Sequence, residues 1–118
     1  MNFWLVFCYF SVPSRGPPSF SGYNLSSSVI DLSWSPIPNQ YRQGILQGYA
    51  ILWRNTSTAL ADWNRTTVDA NTINTTIGNL SSYINYTFRI AGFTSQGDGN
   101  FSADIVVITG EDGKLNRS

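Results

Sequence analysis

No stretch of this 118-residue chain holds the 3.6-residue apolar period of a helix. Short segments instead alternate apolar and polar residues with period two, and turn residues separate them. In Val29–Ser35, Ile30, Leu32 and Trp34 share one face and Asp31 and Ser33 the other. The next segment puts Tyr49, Ile51 and Trp53 on one face, interleaved with Gly48, Ala50 and Leu52. Trp63–Val68 and Ile73–Ile77 alternate likewise, and Tyr86–Phe93 turns Tyr86, Phe88 and Ile90 inward with Thr87 and Arg89 outward. With an edge strand near Phe20–Tyr23 and a last strand at Ile105–Thr109, seven short strands are predicted at the spacing of a sandwich. The fold class is all-β, and the length allows a single core.

The same residues exclude most chemistry. The chain has no His, so neither a Ser-His-Asp nor a Cys-His nucleophile can be assembled, nor a His-bearing metal site. Its one cysteine, Cys8, rules out an intrachain disulfide and a Cys metal cluster. Six of the seven carboxylates are Asp, and Glu111 lies near the chain end, which leaves little from which to build a carboxylate pair in a cleft. Seven basic residues balance seven acidic ones, so the charge excess that nucleic acid or an anionic membrane would attract is missing. No enzymatic activity, cofactor or metal is expected.

Met1 to Val12 is uncharged, too short to span a bilayer but of the length of a signal-peptide apolar region. No basic residue precedes it and Val-Pro-Ser is a poor cleavage site, so it is either a signal peptide or a remnant of a longer chain. Three prolines and a glycine between Val12 and Pro18 read as a stiff linker. The chain is divided into an apolar leader at 1–12, a linker at 13–16, a folded domain at 17–110 and a polar tail or inter-repeat linker at 111–118.

In order and spacing, these residues resemble the fibronectin type III domain. Pro17 and Pro18 open the first strand, Trp34 sits in Leu-Ser-Trp-Ser-Pro on the second, and Gly44 to Tyr49 with Ile51 and Trp53 looks like the third. Leu80, Tyr86, Phe88 and Arg89 match the corner and sixth strand, and Gly97, Gly99 and Ser102 the turn into the last. The resemblance implies an immunoglobulin-like seven-stranded sandwich without a disulfide, whose sheets are held by packing alone. Trp34, Tyr49, Ile51, Leu80, Tyr86 and Phe88 are the predicted core. Tyr86 falls where the family places a tyrosine corner, its hydroxyl bonded to backbone near Leu80.

The feature that speaks to function is Asn-x-Ser/Thr. Such sequons begin at Asn24, Asn55, Asn64, Asn74, Asn79, Asn85, Asn100 and Asn116, eight of eleven asparagines. With 15 Ser and 10 Thr present, chance would place about two. The strand pattern points Asn74 and Asn85 away from the core and puts Asn24, Asn55, Asn79 and Asn100 at turns or strand ends. Passage through a secretory pathway is expected, with Asn79 and Asn85 competing for sugar. Carbohydrate would also supply the hydration that 14 formal charges do not.

Two loops could carry recognition. Some members of the family display an integrin-binding Arg-Gly-Asp before the last strand; here Gln96-Gly-Asp replaces it, and Gly97 and Gly99 are read as positive-φ turn residues. The loop from Ile37 to Ile45 carries Tyr41 and Arg42, residue types that anchor protein contacts. The expected protein is an extracellular or secreted module, or part of a membrane protein's ectodomain. It would serve as a spacer or protein-interaction unit in cell adhesion or receptor signalling. Its expected partners are an extracellular protein and neighbouring repeats, with no nucleic acid and no membrane insertion by the domain. The alternative is an accessory module of a secreted enzyme such as a glycoside hydrolase.

Overall fold

The structure, a computed structural model, describes residues 12–57 and 63–110. The leader up to residue 11 with Cys8, the tail from 111 and the Asn116 sequon lie outside the described residues. The strands are β1 (Ser21–Asn24), β2 (Ile30–Ser33), β3 (Gly48–Asn55), β4 (Asn64–Asp69), β5 (Asn74–Ile77), β6 (Asn85–Thr94), β7 (Gly97–Asp98) and β8 (Ile105–Ile108). Each predicted strand is present within two residues of its expected bounds. The eighth, β7, is a two-residue ladder that pairs Phe93 with Asp98 and Thr94 with Gly97, too short to register as an alternation. A single 3-10 turn at Asn39–Tyr41 interrupts the loop before β3.

The strands form two antiparallel sheets. The smaller runs β1-β2-β5; the larger runs β4-β3-β6, with β7 and β8 pairing successive parts of the far edge of β6. Alternation puts Ile30 and Leu32 of the first sheet against Tyr49, Ile51, Phe88 and Ile90 of the second, all fully buried. Trp34 stands edge-on to Tyr49, ring centroids 5.6 Å apart, and to Phe20 at 6.5 Å. Offset and edge geometries of this kind add to the area that aromatic rings bury.

Two buried tyrosines bind backbone through their hydroxyls. The Ile37 N–H donates to the Tyr49 hydroxyl at 3.1 Å, and the Ser81 N–H donates to the Tyr86 hydroxyl at 2.9 Å. The second bond is the tyrosine corner, one residue past Leu80. Leu80 itself departs from the expectation: it is half-buried and packs on the margin of the core rather than in its centre, because the corner carries it toward the end of the sandwich. Trp53 is half-buried for a similar reason, near the end of β3. Thr87 is outward as expected yet buried, since its hydroxyl meets that of Thr56 at 2.8 Å.

Phe88→Ala is expected to cost about 3–5 kcal/mol, a fifth or more of the about 5–15 kcal/mol that holds a typical domain folded. Tyr86→Phe keeps the ring but leaves the Ser81 N–H without its acceptor, and is expected to cost about 1 kcal/mol. Urea unfolding checks both: the midpoint falls in that order while the slope stays constant.

Candidate interaction surface and glycan acceptors

The strand register sorts the sequons by position. Asn55, ending β3, lies opposite Tyr86, and Asn85, opening β6, lies opposite Ile108. The Asn24 amide reaches the same place, donating to the Ile108 carbonyl at 3.1 Å. Asn64 faces Trp53, two residues from Asn55. Asn79 precedes Leu80, whose N–H donates to Ser28 in the turn after β1. These five gather at the end of the sandwich that holds Gly110. Asn74, paired with Ser33, and Asn100, whose amide donates to the Ser14 carbonyl at 2.8 Å, lie toward the opposite end. All seven are exposed except Asn55, which is half-buried. Asn79 adopts a φ of 59°, the left-handed region that Asn tolerates better than most residues.

Tyr41 and Arg42 have internal contacts. The Ser14 N–H donates to the Tyr41 carbonyl at 2.8 Å, the Arg15 guanidinium lies 4.3 Å from the centre of the Tyr41 ring, and Arg42 Nε donates to the Ile37 carbonyl at 2.8 Å. Both side chains are half-buried. Residues 13–16, read as a linker, thus lie between the 3-10 turn and the loop after β7, with Pro13 fully buried. Gly99 is needed there for a different reason than expected. Gly97 has a φ of 127°, but Gly99 has no positive φ; a Cβ at Gly99 would collide with the Pro13 carbonyl oxygen.

The outer face of the larger sheet carries a cluster that the sequence did not disclose. The guanidinium carbons of Arg54 and Arg89 lie 5.0 and 4.3 Å from the centre of the Trp63 ring, and that of Arg89 also lies 5.7 Å from the centre of the Phe101 ring. Arg89 grips Asp104 through two bonds of 3.0 Å, and Arg65 grips Asp98 through bonds of 2.6 and 3.1 Å. The hydrogen bonds it donates to the Asp98 carboxylate hold the Arg65 guanidinium above its ordinary pKa, opposed by burial and helped by the carboxylate's charge. A raised pKa means stability that is complete at neutral pH and lost only as pH climbs through the folded value, so this pair contributes equally across the neutral range. Asp98 is also the acid of Gln96-Gly-Asp, and its carboxylate is already occupied by Arg65. The partners stand 33 and 15 residues apart, so no local motif marks them; the one available signal was that Arg65 and Arg89 both fall on outward positions.

Among the described residues there is no group of three or more metal-ligating side chains, and no helix long and apolar enough to cross a membrane. The family model described as fibronectin type III domain matches residues 15–108. The chain belongs to the fibronectin type III family. Its sequence is 35% identical over 104 residues to the MAM and fibronectin type III domain-containing protein 1 of Acropora millepora, covering 87% of this chain and 24% of that protein. It is 40% identical over 101 residues to the human phosphatidylinositol phosphatase PTPRQ, covering 81% of this chain and 4% of that one. The crystal structure of chicken CNTN1 FN1-FN3 domains superposes with a TM-score of 0.76 at 29% identity, over 82% of this chain and 32% of that one. This fibronectin module therefore spans a quarter or less of these curated relatives, and its likeness to the phosphatase says nothing about catalysis.

Gly99→Ala is expected to cost about 1–3 kcal/mol by forcing Pro13 out of its seat, with faster amide exchange at Ser14 and Asn100 as the local sign. Arg65→Gln is expected to cost under about 1 kcal/mol, and less in high salt, because the pair is open to solvent. Thermal unfolding at two salt concentrations separates the two.

Proposed function

We propose that this fibronectin type III module is extracellular, glycosylated and non-enzymatic, and that it acts as a spacer or protein-protein interaction unit in cell adhesion or receptor signalling. The observation that carries the reading is the placement of the sequons. Seven asparagines fall at strand ends and turns of a folded domain, none in its core, where attached sugar can be carried without disturbing the packing. The relatives support the rest. They are several-fold longer than this chain, and one solved neighbour spans three such domains, so neighbouring repeats are its nearest partners.

The outer face of the larger sheet is the better candidate for a protein contact. It combines guanidinium groups, indole and phenyl rings and carboxylates, while the Tyr41 and Arg42 side chains brace the loop at the N-terminal end. Of the described sequons only Asn85 shares the outward set of Thr87 and Arg89 on that face, at the strand's first residue. The accessory-module reading keeps one supporting observation, the match to a small part of a protein named as a phosphatase.

Secretion from cultured cells, followed by intact mass before and after enzymatic removal of N-glycans, tests the proposal. A secreted product that loses several glycan masses is expected; no secreted product, or a mass that never moves, overturns it. The coding sequence flanking the module decides between readings, further repeats with a transmembrane helix favouring the receptor and a catalytic domain the accessory module.

A further inference from the structure

Tyr83 is the most exposed aromatic residue among those described, 63% open to solvent, although its backbone is tightly held. Its N–H donates to the Gly110 carbonyl at 3.0 Å, and the next N–H, of Ile84, donates to the Thr109 hydroxyl at 3.0 Å. That hydroxyl in turn donates to the Ser81 carbonyl at 2.7 Å, and Ser81 is tied to the Tyr86 hydroxyl. Tyr83 also has a φ of 58°, a conformation that disfavours a non-glycine residue by about 1–2 kcal/mol. A rigid, strained turn thus holds a large ring in water, where the apolar part of its surface gains nothing.

What lies beside the ring is a sequon. Tyr83 is two residues before Asn85, and together with Ile84 and Asn85 it lines a shallow depression of about 310 Å³ completed by Asn55, Thr56 and Ser57. The amides of Asn24, Asn64, Asn74 and Asn100 each donate a hydrogen bond within the domain. Among the described residues the Asn79 and Asn85 amides have no such partner and both side chains are exposed; of the two, only Asn85 lines the depression with Tyr83. The juxtaposition is not confined to this site. Of the seven exposed large apolar residues described, Tyr23 and Leu25 flank Asn24, Ile73 precedes Asn74, and Ile108 faces Asn85 across the ladder.

We propose that the first N-acetylglucosamine attached to Asn85 packs its C–H face on the Tyr83 ring, so that this sugar is a structural part of the 81–85 turn. The inference rests on the glycosylation proposed above. In the attachment step a bond forms between Asn85 Nδ2 and C1 of the sugar while the bond from C1 to the pyrophosphate of a lipid-linked oligosaccharide donor breaks. The amide proton is given up and the lipid pyrophosphate leaves. One N–H remains on Nδ2 for a hydrogen bond. Tyr83 offers the sugar a flat, polarisable face through dispersion and its ring quadrupole, and the pinned turn removes the entropy cost of ordering it. Other sequons would then add bulk and hydration, and this one stability.

The test uses the full chain secreted from cells restricted to high-mannose glycans. Peptide mapping gives the occupancy at each site. Thermal unfolding is compared for the unmutated glycoprotein, the same protein trimmed by an endoglycosidase to one N-acetylglucosamine per site, Asn85→Gln, Tyr83→Ala and the double variant. Asn85→Gln is expected to lower the midpoint by about 4 °C when Tyr83 is present and by less than about 1 °C when it is Ala, and trimming is expected to leave the midpoint nearly unchanged. In the unmutated trimmed protein, NMR cross-peaks between the Tyr83 ring and the sugar are expected, which guards against a variant that fails to fold. An equal loss in both backgrounds, or no such cross-peaks, overturns the proposal. An Asn85 that is bare while other sequons carry sugar overturns it too but leaves the proposed function standing; sugar on no site overturns both.

Discussion

Two β-sheets must be held face to face here without a covalent tie, and everything else in the domain depends on how that is done. A sandwich of this type can be clamped by a disulfide packed on a tryptophan. This chain keeps the tryptophan, Trp34, and sets it edge-on to Tyr49. Buried tyrosine rings would be a poor filling if their hydroxyls were left dry, since an unpaired buried polar group costs about 1–3 kcal/mol. Tyr49 and Tyr86 avoid this by accepting backbone N–H groups of loops. The same two side chains thus fill the core and fasten the loops at opposite ends, Tyr49 before β3 and Tyr86 before β6.

Those fastened loops organise the surface. At one end, the loop held by Tyr49 supports the 3-10 turn, which with the glycine-bearing loop after β7 forms the seat of Pro13. At the other, the corner held by Tyr86 aligns the turn from Ser81 to Asn85 with Thr109 and Gly110, among five of the sequons. Charge is distributed as unevenly as the sequons. The paired arginines and aspartates stand on the outer face of the larger sheet, whereas the outer face of the smaller one carries Asp31 among hydroxyls and Asn74. Five of the nine charged residues described stand on that one face, and five of the seven described sequons lie around one end.

The fold was legible in the sequence because period-two alternation is a local property. Once one face is buried, Ile30, Leu32 and Trp34 can only point one way, and the turn residues between segments mark off seven strands, all but the two-residue β7. The departures came where neighbours distant in sequence intervene. Thr87 is outward by alternation but buried by Thr56, 31 residues away. Gly99 looks like a turn glycine but serves a close approach to Pro13. Leu80 has the character of a core residue and sits at its margin.

The candidate site divides in the same way. The sequence by itself determined the sequons and the absence of histidine and of a cysteine pair, and hence a surface of candidate glycan acceptors that lacks the residues of a His- or Cys-based catalytic site, since these are matters of which atoms the chain contains. Only the tertiary structure decided which acceptors gather at one end, that Asp98 is taken by Arg65, and that Arg54, Arg89, Trp63 and Phe101 meet on one face. Those facts follow from strand register and loop closure, which bring together residues that no local pattern connects.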